Sequence, residues 1–247
     1  MRLLHLDSRF RQNVTAPSGT PVYQLQGGPI RTSKIRLVSA TIPHSWYTLT
    51  SENNTFVITP TGGSATTVTV AAGFIYTLTG LATALQSAIN TALGISTFTV
   101  TASTSSLKLL LTNPSVGFTL TFASDRTAEL LGFERTGTYA TNGSDVFLSS
   151  THVCELSTPS VHITGSLGAS AYHPSTGDTT VPLFVVPVTE DGGSVIVWNE
   201  GTAYEQAIAF ERSKDISQMS FQLRDVRGRA LSPSLNWSLT LAYEQDE

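Results

Sequence analysis

The sequence has few charged side chains. Asp, Glu, Lys and Arg make up only 13% of its 247 residues, against about 25% in an average soluble domain. Serine and threonine take the polar positions instead, and threonine suits the exposed face of a strand because its branched Cβ fits the pleat. A surface so low in charge is poorly protected against association. The composition therefore favours a protein packed against other proteins over a freely diffusing enzyme.

Cysteines, basic runs and long apolar runs are also scarce. Cys154 is the only cysteine, so no internal disulfide forms and a disulfide-rich scaffold is excluded. A formal net charge of −4 and the lack of a basic run argue against a specific nucleic-acid partner. No segment approaches the ~18 apolar residues of a membrane span. We expect neither a membrane span nor an export signal.

Catalytic and metal-binding patterns are not evident. The sequence contains no G-x-S-x-G nucleophile motif. His152 and Cys154 form an H-x-C pair on a predicted strand, but two ligands without a following C-x-x-C do not make a zinc site. Glu190 and Asp191 could bind calcium together with Glu200, yet no EF-hand spacing is present and a solvated turn is favoured. We expect no enzymatic activity, cofactor or metal.

Alternation of apolar and polar residues predicts many strands. The segment 34–42 alternates until Pro43, which ends ladder pairing. Residues 219–224 and 237–244 alternate most regularly. Many strands with Gly, Pro and Asn turns between them predict a mainly β protein with a β-sandwich. The strands at 34–42 and 237–243 should lie in one antiparallel sheet.

Residues 53–134 form a distinct block in which the period changes. Two strands precede a helix with apolar residues from Leu78 to Ala92, capped by Thr79 at its start and by Gly94 at its end. Three strands and a short helix from Asp125 follow, with Ser124 as N-cap. Gly132 should end this helix, with Phe133 folding back on Ala128. The order ββαβββα predicts a small α+β module.

These patterns predict three regions. Residues 1–20 form an N-terminal arm, 21–52 plus 135–247 form the sandwich, and 53–134 form the inserted α+β module. The arm should become ordered only on assembly, by adding a strand to a neighbour. Its candidate interface residues are Arg2, Arg9, Phe10 and Arg11. Deleting residues 2–16 should leave a folded protein that assembles poorly.

Four motifs carry a family resemblance. The run 33–47 reads SKIRLVSATIPHSWY and is followed by ENNTF at 52–56. The second motif is Thr77-Leu78 followed by the predicted helix at 81–90, the third is LLGF at 130–133, and the fourth is an F-x-L-x-D…G…W-x-L-x-L ending. In order and spacing they resemble penton (vertex) proteins of virophages and Polinton-like viruses, whereas residues 140–215 match no part of that pattern. The motif residues are Pro43, Trp46, Tyr47, Asn54, Phe56, Leu131, Gly132, Phe133, Asp225, Gly228 and Trp237.

The resemblance implies a jelly roll that assembles as a homopentamer at the icosahedral vertices of a virion. It implies contact with a major capsid protein of double jelly-roll fold, and with a minor capsid or cement protein, after assembly inside the host cell. The main alternative is a viral fibre or receptor-binding β module. Such a module would be trimeric and would present aromatics such as Trp198 and Tyr204 to host glycans.

Overall fold

The structure is a computed structural model that describes residues 1–10, 22–25, 29–46, 48–75, 77–167, 182–201, 206–231 and 235–245. The chain divides into two compact units. The first unit comprises residues 1–46 and 158–247, and the second comprises residues 47–157. Each unit has its own hydrophobic core.

The elements of the first unit before the insertion are β1 (Arg2–Asp7), β2 (Val22–Gln24) and β3 (Ile30–Pro43). The elements of the second unit are β4 (Thr55–Pro60), β5 (Thr66–Thr69), α1 (Leu78–Leu93), β6 (Thr99–Ser103), β7 (Lys108–Thr112), β8 (Phe118–Phe122), α2 (Asp125–Leu130), β9 (Gly137–Ala140) and β10 (Phe147–Ser149). The first unit resumes with β11 (Ser160–Gly165), β12 (Phe184–Pro187), β13 (Val195–Asn199), β14 (Ala207–Ile216), β15 (Gln218–Arg224) and β16 (Ser238–Tyr243).

The strands of the first unit form two antiparallel sheets. The first sheet has the order β1-β16-β3-β13, with β14 also paired to β3, and the second has the order β12-β11-β15-β2. β13 pairs with residues 39–43 of β3 and β14 with residues 30–36, so the two strands share one position in the sheet. With β13 and β14 counted as one strand, successive strands alternate between the two sheets, except for β11 and β12, which are neighbours in the second sheet; this is the eight-strand order of a jelly roll. The second unit is inserted between the third and fourth of these strands.

The central pairing of the first sheet was expected from the sequence. β16 runs antiparallel to β3 from Tyr243 opposite Ile35 to Ser238 opposite Thr41. The predicted partnership of these two segments is therefore confirmed. The register shifts between Thr240 and Leu241, where β3 contains one extra residue, Val38, in a β-bulge.

Both sheets contribute the inward half of their alternating residues to the first core. Leu37 and Ile42 on β3 are fully buried, and so are Ile163 on β11 and Phe221 on β15. Burial of such side chains contributes about 1.5–3 kcal/mol each relative to exposure. The apolar residues that alternate with polar residues in the sequence are thus the ones that face the core between the two sheets.

The first ten residues depart from the predicted arm. Residues 2–7 form β1 and pair with β16 throughout, from Arg2 opposite Tyr243 to Asp7 opposite Ser238. Leu6 is buried in the first core, and Ser8 is buried beside Trp237. The prediction that residues 2–7 become ordered only on assembly is corrected, because β1 is a strand of the jelly roll within one subunit. The rest of the predicted arm, 11–20, lies outside the described residues.

The second unit has the predicted element order, β4-β5-α1-β6-β7-β8-α2. Its limits, 47 and 157, lie beyond the predicted 53 and 134. The physical reason is strand pairing: β9 pairs with β8 and β10 pairs with β7, which holds both strands in this unit. The resulting sheets have the orders β5-β4-β8-β9 and β10-β7-β6.

The helix ends follow local rules, with one difference from prediction. Thr77, not Thr79, caps α1 by accepting the N–H of Gly80 at 3.0 Å. Gly94 ends α1 in the left-handed region, as predicted. Ser124 precedes α2 in an extended conformation, but its side chain makes no cap hydrogen bond. After α2, the N–H of Phe133 donates to the carbonyl of Ala128 at 2.8 Å, which confirms the predicted ending.

Candidate assembly interface

The aromatic motif residues lie inside the two units. Trp46 is buried in the first core, with its ring centroid 4.3 Å from that of His44. Trp237 meets Phe221 edge to face at 6.4 Å. In the second core, the rings of Phe56 and Phe133 lie 5.9 and 5.1 Å from the ring of Phe122. These residues therefore determine packing.

Asp225 organises the turn after β15. Its buried carboxylate accepts the N–H groups of Arg227 and Arg229 at 2.9 Å each, and the Nε–H of Arg229 at 2.6 Å. The N–H of Gly228 donates to the carbonyl of Asp225, and Gly228 has a φ of 78°, which favours glycine. The D…G part of the motif thus specifies a tight turn.

The remaining motif residues also support the framework. Pro43 ends β3 opposite Val195. The side-chain amide of Asn54 donates to the carbonyl of Val70 at 2.9 Å and links the ends of β4 and β5. Leu131 and Gly132 are buried at the end of α2. Tyr47 lies outside the described residues.

The described candidate arm residues lie on β1 or in the turn that follows it. Arg2 is exposed on β1. Arg9 forms an ion pair with Asp7 at 2.6 Å, and hydrogen bonds from the Arg9 side chain and N–H lower the pKa of Asp7 to about 2. Phe10 ends the short 3₁₀ turn Ser8–Phe10, and Arg11 lies outside the described residues. Their role in an interface stays a prediction.

Exposed apolar side chains occur on the first sheet of the sandwich. Met1 and Leu3 are 74% and 62% exposed, and Val195 and Val197 on β13 are 50% and 60% exposed. The neighbouring Ile196 is buried, so the two valines project from the outer face of the sheet. Leu3 is on the same outer face, because Leu4 and Leu6 are directed toward the core.

Two strands at opposite edges of this sheet, β1 and β13, direct backbone groups outward. On β1, the N–H of Ser8 donates to the carbonyl of Trp237 at 2.8 Å. Bonded positions recur at every second residue, so Leu6 and Leu4 direct their backbone groups toward β16, as Ser8 does. Leu3 and His5 lie between these positions and direct their N–H and C=O groups away from β16. On β13, the N–H of Glu200 donates to the carbonyl of Val38 at 2.8 Å. By the same alternation, the backbone N–H and C=O groups of Val195 and Val197 are directed away from β3.

The second sheet treats its edge differently. The side-chain amide of Gln206 accepts the N–H of Val185 on β12 at 2.6 Å and donates to its carbonyl at 2.7 Å. The main chain of Gln206 accepts the N–H of Leu37 on β3 at 3.0 Å. Gln206 thus occupies the edge of β12, which blocks pairing with another strand there. Within the described residues, neither β1 nor β13 has such a side-chain clamp.

The second unit contains a long stretch without charge. No Asp, Glu, Lys, Arg or His occurs between Glu52 and Lys108. This stretch forms β4, β5, α1 and β6, and an open groove of about 460 Å³ lies between β5 and α1. Depletion of charge is the compositional mark of the buried centre of protein interfaces.

Reactive groups are dispersed in the described part of the chain. No group of three or more His, Cys, Asp or Glu side chains is placed to bind a metal there. Residues 151–157 form no strand, which corrects the predicted H-x-C strand, and burial raises the pKa of Cys154 to about 11. Glu200 lies 3.2 Å from Arg36 in an ion pair. Among the described residues, no helix is both long and apolar enough to cross a membrane.

Solved virophage structures are similar to this chain. The crystal structure of the mavirus penton protein matches over 99% of both chains, with 12% sequence identity and a TM-score of 0.47. The cryo-EM structure of the Sputnik virophage contains a chain that matches over 98% of both chains, with 13% identity and a TM-score of 0.40. No family model and no curated protein matches the sequence.

The fibre alternative loses part of its sequence support. Trp198 is partly buried and packs against the first core, so it does not stand free to stack on a sugar. Tyr204 lies outside the described residues. Sequence reasoning also missed β1, although Leu4 and Leu6 alternate with His5 and Asp7.

Proposed function

We infer that this chain is a non-enzymatic structural protein of a virus capsid, and that it forms the homopentameric vertex of an icosahedral shell. The observation that carries the inference is the location of the motif residues. Trp46, Phe56, Phe133 and Trp237 pack in the two cores, and Asp225 builds a turn. The residues that carry the sequence resemblance to penton proteins are therefore residues that specify the fold. A match produced only by a similar amino-acid composition would not be expected to fall on such positions.

The surface chemistry supports association. The first unit has apolar side chains on the outer face of a sheet whose edge strands direct backbone groups outward. The second unit has a stretch without any charge. Both features are costly on a monomer because they promote non-specific contact. In a capsid subunit they would be covered by neighbouring chains.

A vertex subunit contacts two kinds of neighbour. Copies of itself would close a ring, in which each interface joins two different patches of the same chain. A major capsid protein of double jelly-roll fold, with a minor capsid or cement protein, would surround the ring. This assigns the chain to the virion, with assembly in the infected cell.

Electron microscopy tests the proposal. Purified full-length protein should give class averages of rings with fivefold symmetry, and labelled antibody should bind virus particles at their vertices. Threefold averages together with binding to a glycan array would support the fibre alternative. A monomeric protein absent from purified particles would overturn a structural role.

A further inference from the structure

We propose that the subunits join edge to edge, with β1 of one copy pairing antiparallel with β13 of the next copy, so that the first sheets form one continuous ring. The proposal rests on the inferred ring of identical copies and specifies which surfaces meet. Three independent features of the first unit support it.

The first feature is strand direction. The sheet has four positions in the order β1-β16-β3-β13, and every neighbouring pair is antiparallel. The two outer strands therefore run in opposite directions. When one copy is placed beside another by rotation about an axis, without inversion, β1 meets β13 in antiparallel orientation. An odd number of positions would have required parallel pairing.

The second feature is hydrogen bonding. Leu3 and His5 on β1 direct their N–H and C=O groups outward, and Val195 and Val197 do the same on β13. Two such edges provide complementary donors and acceptors at matching spacing. The edge of β12 differs, because the side chain of Gln206 already satisfies the N–H and C=O of Val185 there.

The third feature is side-chain chemistry. β13 reads Val-Ile-Val-Trp-Asn and has no charged residue, although exposed edge strands commonly carry charge that prevents pairing. Its exposed valines lie on the same outer face as Leu3. Edge pairing would place Leu3 beside a valine of the next copy and cover apolar surface on both. One interface of this kind joins two different patches, which is the arrangement that a ring needs.

Disulfide trapping tests the pairing directly. Opposed residues at hydrogen-bonded positions have Cα atoms about 5.5 Å apart, within the range of about 4.4–6.8 Å for a disulfide. In a Cys154→Ser background, Leu3→Cys is combined with Val197→Cys or with Val195→Cys, and His5→Cys is combined with Val197→Cys. These combinations cover neighbouring registers.

One combination should give, on oxidation, a ladder of covalent species that ends at five chains. Each single-cysteine variant should stay uncrosslinked, because a head-to-tail interface never brings a residue against its own copy. Crosslinking of Leu3→Cys alone would indicate a two-fold contact and overturn the proposal. So would wild-type-like pentamers in which no combination yields a ladder.

A charge substitution gives a second, independent readout. Val197→Lys should raise the protein concentration at half-assembly by at least about tenfold, because the ammonium group would have to be desolvated in the interface. Val153→Lys is the matched control, since Val153 is 56% exposed in the second unit. Circular dichroism should show that both variants remain folded, because both side chains already point to solvent.

The outcomes separate the two proposals. If the wild-type protein is monomeric or trimeric, the vertex function and the edge pairing both fail. If it is pentameric but Val197→Lys assembles like wild type and no cysteine combination crosslinks, only the edge pairing fails. The vertex function would then depend on another surface, such as the charge-free stretch of the second unit.

Discussion

At the scale of single residues, the motif positions act through backbone conformation and close packing. Gly132 shows this most clearly. It has a φ of 78°, and a Cβ at this position would lie 2.5 Å from the carbonyl oxygen of His152 and 2.9 Å from the Cβ of Ser150. Both the left-handed conformation and the lack of space therefore require glycine.

We predict that Gly132→Ala lowers the free energy of unfolding of the second unit by about 2–5 kcal/mol. The left-handed conformation costs roughly 1–2 kcal/mol, and steric overlap adds about 1–3 kcal/mol. Gly94→Ala is the matched control, because its φ is 65° and its Cβ would meet nothing within 4 Å. Urea unfolding should show a loss of only about 1–2 kcal/mol for the control. Equal losses would show that crowding at Gly132 is not important.

The single thiol should react slowly. Burial raises the pKa of Cys154 to about 11, so only a small fraction is thiolate near neutral pH, and the thiolate is the reacting form. Alkylation of the native protein by iodoacetamide at pH 8 should be much slower than that of a Cys154→Ser, Val153→Cys variant. Its rate should rise with pH toward the pKa. Comparable rates for the two thiols at pH 8 would contradict the burial.

At the scale of elements, the jelly roll depends on how its strand edges are closed. The amide of Gln206 makes two hydrogen bonds to the backbone of Val185, and its main chain bonds to Leu37 in the other sheet. Gln206→Ala should lower the free energy of unfolding by about 1–2 kcal/mol, at about 1 kcal/mol for each hydrogen bond lost. Hydrogen exchange should become faster at the amide of Val185. Gln218→Ala, at an exposed position, is the control and should leave that amide unchanged.

β1 is predicted to contribute strongly to the stability of the first unit. Deleting residues 2–10 would expose the edge of β16 and remove the buried Leu6 and Ser8, including the 2.8 Å hydrogen bond from the N–H of Trp237 to Ser8 Oγ. Differential scanning calorimetry should show a transition at lower temperature than that of the full chain. A deletion variant that melts at the wild-type temperature would restore the view that this segment is a detachable arm.

The sequence predicted elements best where the signal is local. The long run of apolar residues at helical spacing identified α1, and the last alternation identified β16. β1 was missed because its few alternating residues are followed by a Pro/Ser/Gly-rich segment typical of an arm. β9 and β10 were placed outside the inserted module because their membership depends on pairing with β8 and β7, which sequence periodicity does not report.

At the scale of the whole molecule, the motifs and the surface have separate roles. The resemblance identified residues such as Trp46 and Phe133, which pack in the cores of the first and second units. It did not identify the surfaces that would meet in an assembly. Free strand edges and charge-free faces become visible only when pairing and exposure are known. The interface proposed here therefore could not be read from the sequence alone.

The assembled mass is the most direct test of the account. Native mass spectrometry of the purified full-length chain at micromolar concentration should give a species of five times the chain mass of 26.4 kDa. A spectrum that contains only the monomer at all accessible concentrations, or only a trimer, would contradict the vertex function.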